Sequence, residues 1–160
     1  MHLAEIFPRV IAADISRSHL SLCREELVRS GRKNVELHHL TEVDRLSSLP
    51  PYDFFCSFIV LQHNPPPLTK LLLERILGKL DRGGAGVFQV MTYRAGYGFN
   101  LKDYLAHPPS PSMEMHVLPQ PAVFAAIAAA GCRAFEARED SFASFRSPDI
   151  LSNTFFVEKP

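Results

Sequence analysis

This sequence is poor in the features that announce a function outright. No charge of one sign is in excess: lysine plus arginine and aspartate plus glutamate stand at 17 each. That balance excludes a global pull toward nucleic acid or an anionic membrane. No apolar run approaches the ~20 residues of a membrane-spanning helix. The start, Met1-His2-Leu3-Ala4-Glu5, has neither a basic n-region nor an apolar h-region. The expectation is a cytoplasmic protein with no membrane and no nucleic-acid partner. Cysteine is scarce: Cys23, Cys56 and Cys132 lie far apart with no C-x-x-C pair. Such a set argues against a disulfide framework or zinc site and for buried, reduced thiols. Glycine is missing from the nine residues before Val10, so no glycine-rich loop precedes the first apolar run.

What is present is an alternation of strands and helices in one domain's length of chain, residues 1–160. Val10–Ala13 predicts a short apolar strand, the kind buried on both faces of a parallel sheet, ending on Asp14. Ser16 or Ser18 then caps a helix with Leu20, Cys23, Leu27 and Val28 on one face and Gly31 as its stop. Val35–Leu40 predicts another strand, and Tyr52–Leu61 the strongest one in the chain. Pro65-Pro66-Pro67 opens a helix whose buried stripe is read as Leu68, Leu71, Leu72, Ile76 and Leu80. Asp81-Arg82-Gly83-Gly84 turns into a strand over Ala85–Met91. The pattern then loosens into an insert at about 92–119, a length that marks functional loops or lids. Pro121 opens a helix closed by Gly131, and Cys132–Arg138 with Thr154–Glu158 form a closing pair. The order predicts an α/β fold: a doubly wound, mostly parallel sheet with a C-terminal antiparallel strand pair.

Four segments together resemble the class I S-adenosylmethionine-dependent methyltransferases. Val10–Ser16 resembles the second strand, whose acid holds the cofactor ribose. Tyr52–Asn64, ending Val60-Leu61-Gln62-His63-Asn64, resembles the fourth strand. Leu73–Val90 resembles the helix and glycine turn before the fifth. Val123–Glu136 followed by Thr154–Lys159 resembles the last helix and reversed hairpin. The resemblance implies a Rossmann-like sheet, S-adenosyl-L-methionine as cofactor, and methyl transfer to a small-molecule or glycan-type acceptor. The family's first strand and its D/E-x-G-x-G-x-G motif have no counterpart here. The expectation is therefore a domain with its first strand missing and its activity impaired. A non-catalytic α/β interaction module is the alternative. A dehydrogenase is a third reading, since a strand-two acid also holds the ribose of NAD, but the final strand pair argues against it. Oligomeric state stays open.

Each candidate site residue has two readings. Asp14 accepts from ribose hydroxyls, or favours the dipole at a helix N-terminus. Ile15 packs against adenine, or into the core. Thr41 and Glu42 read the adenine edge, or are solvated loop. Val60 and Gln62 stand where ligands bind in open α/β sheets, at a strand's carboxyl end. His63 is the one histidine placed as a general base, against a structural hydrogen bond. His38 and His39 point to opposite faces of a strand, against joint metal ligation. Glu114 and His116 are a metal pair or part of a lid, and no metal is expected. Tyr93, Tyr97, Phe99 and Tyr104 wall an acceptor pocket, or pack the insert onto the sheet.

Overall fold

A computed structural model describes residues 2–107, 112–140 and 147–160. It divides into two compact units, Met1–Leu49 and Pro50–Pro160, each with its own sheet.

The first unit holds α1 (Leu3–Ile6), β1 (Val10–Asp14), α2 (Arg17–Ser30), β2 (Val35–His39) and a 3-10 turn over Val43–Ser48. Local chemistry sets its boundaries as expected. Ser16 Oγ accepts the His19 N–H at 3.2 Å and starts α2. Gly31, at φ 67°, ends it in the left-handed conformation. β1 runs parallel to β2 in register from Val10 opposite Val35 to Asp14 opposite His39. The burial expected for β1 is not found. Val10, Ile11 and Ala12 are half-buried and Ala13 is exposed, because β1 belongs to a two-stranded sheet. On α2, Leu20 and Leu27 are buried, Cys23 is half-buried, and Val28 turns outward at 78% exposure.

The second unit holds β3 (Tyr52–Ser57), a 3-10 turn over Leu61–His63, α3 (Pro66–Gly78), β4 (Leu80–Arg94), α4 (Leu101–Ala106), α5 (Gln120–Ala129), β5 (Arg133–Asp140) and β6 (Ile150–Glu158). Its sheet order is β3-β4-β6-β5. β3 and β4 are parallel, while β6 runs antiparallel to both β4 and β5. This mixed sheet is the α/β architecture expected, including its reversed closing pair. Phe88, Phe155, Leu73, Leu77, Val123 and Val157 are fully buried at its centre.

Two details depart from expectation. The buried stripe of α3 is Thr69, Leu73 and Leu77, continued by Leu80; Leu71 is exposed and Leu68, Leu72 and Ile76 are half-buried. The glycine turn lies inside β4 as an irregularity, with Tyr52 opposite Leu80 and Phe54 already opposite Ala85. Gly83 takes φ 80° there, and a Cβ on Gly84 would sit 2.8 Å from the Asp81 carbonyl oxygen. Both positions therefore require glycine.

Candidate functional site

β3 ends at Ser57, four residues short of the strand read from sequence. Beyond it, Ile59 adopts φ 56°, a left-handed conformation costing a β-branched residue about 1–2 kcal/mol. Its N–H donates to Gln89 Oε1 at 3.0 Å, which holds the strained backbone in place. Gln89 is fully buried on β4. Its Nε2 donates to Gln62 Oε1 at 2.7 Å and to Ser152 Oγ at 2.6 Å. Thr69 Oγ1 donates to the Leu61 and Asn64 carbonyls at 3.1 and 2.9 Å, fixing the following turn to α3. The carboxyl end of β3 is thus rigidly held, and it presents Ile59 and Val60 to solvent at 48% and 56% exposure.

Gln62 is 3% exposed and its side chain is committed to Gln89, so its part is to position the turn. His63 is half-buried, and its Nδ1–H donates to the Glu114 carbonyl at 2.8 Å. A carbonyl only accepts, so in the neutral ring Nε2 carries the lone pair. The structural hydrogen bond and the base reading of His63 therefore coexist.

The insert brings together residues that sequence reasoning kept apart. His116 is 8% exposed; its Nε2–H donates to the Glu114 carboxylate at 3.0 Å, and Nδ1 accepts from the Tyr97 hydroxyl at 3.0 Å. The rings of Tyr97, Phe99 and Tyr104 surround it edge-on, with centroids 6.3, 5.8 and 5.7 Å away. The His116 N–H donates to the Gln62 carbonyl at 2.7 Å, tying this cluster to the His63 turn. Arg94 lies over the Tyr97 ring at 4.8 Å and donates to the Met115 carbonyl at 3.3 Å. Burial pushes the Tyr97 phenol up, opposed by the Val117 N–H and Arg94. Burial and then the Glu114 charge push up Tyr104. A cavity of about 1020 Å³ opens against this cluster. Tyr93, expected with these aromatics, points outward at 50% exposure and does not line the cavity. Among the described residues, no three His, Cys, Asp or Glu side chains converge as metal ligands.

In the first unit, Asp14 ends β1 with Oδ1 accepting the Ser16 N–H at 2.7 Å and Oδ2 3.6 Å from His19 Nδ1. Its side chain is 40% exposed, so the helix-entry role is filled with one oxygen facing outward. Ile15 is 77% exposed, which rules out core packing. Thr41 and Glu42 are exposed ahead of their 3-10 turn. His39 Nε2–H donates to the Ile15 carbonyl at 3.0 Å, while His38 Nε2 lies 3.7 Å from Glu36. Of the thiols, Cys132 is buried, and Cys23 and Cys56 are half-buried.

Gln89 is the residue that sequence reasoning missed as a site builder; Tyr97 was read as a pocket wall, but its pairing with His116 was not. Gln89 had a signal: one amide within Val87-Phe88-Gln89-Val90-Met91, an otherwise apolar strand.

The chain matches no protein-family model and no curated protein. Among solved structures it is similar to magnesium protoporphyrin IX methyltransferase ChlM from Synechocystis PCC 6803, solved with bound SAH: TM-score 0.67, 14% identity, covering 99% of this chain and 67% of that one. An S-adenosylmethionine-dependent methyltransferase from Clostridium acetobutylicum ATCC 824 gives 0.71 at 10% identity, covering 98% and 77%. The [4+2]-cyclase SpnF gives 0.70 at 12% identity, covering 95% and 66%. The fold is the class I methyltransferase fold. The chain spans about two-thirds of the length of ChlM and of SpnF. SpnF also shows that the fold alone does not fix the reaction.

Proposed function

We propose that this chain carries out S-adenosyl-L-methionine-dependent methyl transfer to a small-molecule or glycan-type acceptor. The observation that supports this most is the β3-β4-β6-β5 order with β6 reversed, in a fold shared with a methyltransferase solved with bound SAH. When bound, the cofactor supplies an electrophilic methyl group on a sulfonium. Within residues 1–49, the outward oxygen of Asp14 accepts from the ribose, exposed Ile15 meets the adenine face, and Thr41 and Glu42 its edge. Within residues 50–160, Val60 offers apolar contact and Gln62 holds its turn. His63 Nε2 takes the proton from the acceptor oxygen or nitrogen as that atom takes the methyl group. No G-x-G-x-G segment occurs among the 160 residues. Two or three backbone hydrogen bonds to the cofactor are then lacking, which lowers affinity by roughly one to two decades.

Calorimetric titration with S-adenosylmethionine and SAH, joined to a labelled-methyl transfer assay, tests the reading. Asp14→Ala is expected to weaken cofactor binding by about 1.5–3 kcal/mol, the value of hydrogen bonds to a charged group. His63→Ala is expected to leave binding intact and slow transfer by about 10²–10⁴. Unchanged cofactor affinity in Asp14→Ala overturns the ribose assignment. A second reading, a non-catalytic α/β binding module, draws support from β1, which is apolar, half-exposed and, among the described residues, paired with one strand. Absence of cofactor binding at millimolar concentration favours that module.

A further inference from the structure

We infer that the cavity at the insert binds a flat, neutral ring bearing a hydroxyl, which Tyr97 selects by accepting that hydroxyl's hydrogen. This goes beyond the methyl-transfer reading: the binding needs no cofactor, and His63 does not line the cavity.

The argument begins at Glu114. A carboxylate accepts, so His116 Nε2 carries its hydrogen toward Glu114 at 3.0 Å. With the ring neutral, Nδ1 is then a lone pair, and the Tyr97 hydroxyl 3.0 Å away donates to it. The Tyr97 oxygen has thereby donated its only hydrogen. What the oxygen offers to the cavity is a lone pair, which reads a donor and rejects an acceptor. His116 cannot turn to change this, because three aromatic rings and 8% exposure fix its plane.

The walls narrow the class further. Phe99 and Tyr104 line the cavity with aromatic surface suited to a planar ring. Asp103 and Glu114 line it too, while the Arg94 guanidinium is engaged by the Met115 carbonyl and the Tyr97 face. A ligand bearing a carboxylate or phosphate would meet the Asp103 and Glu114 carboxylates beside Arg94 and His107, a lining with no excess of positive charge to hold it. At about 1020 Å³, the space lies at the upper end for small-molecule sites and admits a ligand larger than one ring.

The test titrates the whole chain, without cofactor, with phenol, anisole and benzoate. Phenol is expected to bind about five- to tenfold more tightly than anisole, the worth of one hydrogen bond, and benzoate more weakly than phenol. Tyr97→Phe is expected to bring phenol down to the anisole value while leaving anisole unchanged. In the unsubstituted protein, phenol at saturation is expected to shift the His116 ring resonances further than anisole does, a readout that needs no variant. Equal affinities for phenol and anisole, a preference that survives Tyr97→Phe, or tightest binding of benzoate overturns the inference. A separate titration with S-adenosylmethionine tells its failure from that of the methyl-transfer reading.

Discussion

Residues 1–49 and 50–160 are written in the same alternating strand and helix pattern, yet they reach different depths of burial. In the first unit the best-buried side chains, Ala4, Leu20, Leu27, Leu46 and Leu49, each keep 5–8% exposure. In the second, Leu73, Leu77, Phe88, Val123, Phe155 and Val157 reach zero. The difference lies in the sheets. In a two-stranded sheet both strands are edges, and such a pair is marginal without further cover. Polar ties at its rim supplement the first unit: Asn34 Nδ2 donates to the Ala4 and Phe7 carbonyls, both at 2.9 Å, and Arg32 Nη1 to Ala4 at 3.1 Å. Strand pattern thus specifies an element, while the number of neighbouring strands decides how far it is buried.

The largest test of that contrast is a pair of truncations. Phe88→Ala removes a fully buried ring stacked 5.5 Å from Phe155 and is expected to cost about 3–5 kcal/mol. Leu27→Ala, at a site that keeps 8% exposure, is expected to cost less, about 2 kcal/mol. Denaturant unfolding of both variants checks the order. Equal losses would mean that the first unit is as tightly packed as the second. Native-state hydrogen exchange adds a second readout, with β1 and α2 amides expected to exchange before those of β4 and β6.

These elements also show what was legible in the chain. The caps at Ser16, Gly31 and Gly131 and the Pro65–Pro67 helix start act over four or five residues, and the structure keeps them. The face of α3 was not legible. Leucine and isoleucine occupy Leu68, Leu71, Leu72, Leu73, Ile76 and Leu77, so several stripes compete and packing against β4 and α5 selects one. Asp14 at the end of β1 and His63 in the turn after β3 stand near the strand ends where the sequence put them. Tyr97 and His116 could not be paired, because they stand 19 positions apart in the chain and no sequence period links them.

Gln89 sharpens the comparison at intermediate size, since the first unit has no fully buried polar side chain among its described residues. Gln89→Leu keeps the volume but strands the Ile59 N–H and the Gln62 amide oxygen. The expected loss is about 1–3 kcal/mol for each buried group left without a partner, reduced if Ile59 relaxes out of its left-handed conformation. Thermal melting measures the loss, and backbone chemical shifts at Ile59 and Val60 report the relaxation. Unchanged shifts with unchanged stability would show that Gln89 does not hold the turn after β3.

The smallest expected effect comes from Tyr52, at the start of β3. Its hydroxyl donates to the Ile76 carbonyl at 2.6 Å, an oxygen that also accepts the Lys79 N–H at 3.0 Å. Tyr52→Phe therefore leaves no orphaned acceptor, and the expected loss at neutral pH is about 1 kcal/mol or less. The pH dependence is the sharper readout. Burial first, then the Cys132 thiolate, pushes the Tyr52 phenol well above its ordinary range. The folded state then holds its proton more tightly than the unfolded chain does. That contribution is complete below the unfolded value of about 10 and is lost as pH rises above it toward the folded value. Denaturant melts between pH 8 and 11 are expected to show a shallower alkaline decline in Tyr52→Phe than in the parent. The decline will not vanish, because Tyr97 and Tyr104 are also raised. Parallel declines would mean that the Tyr52 hydroxyl reaches water, and that this edge of the second unit is no better covered than the first.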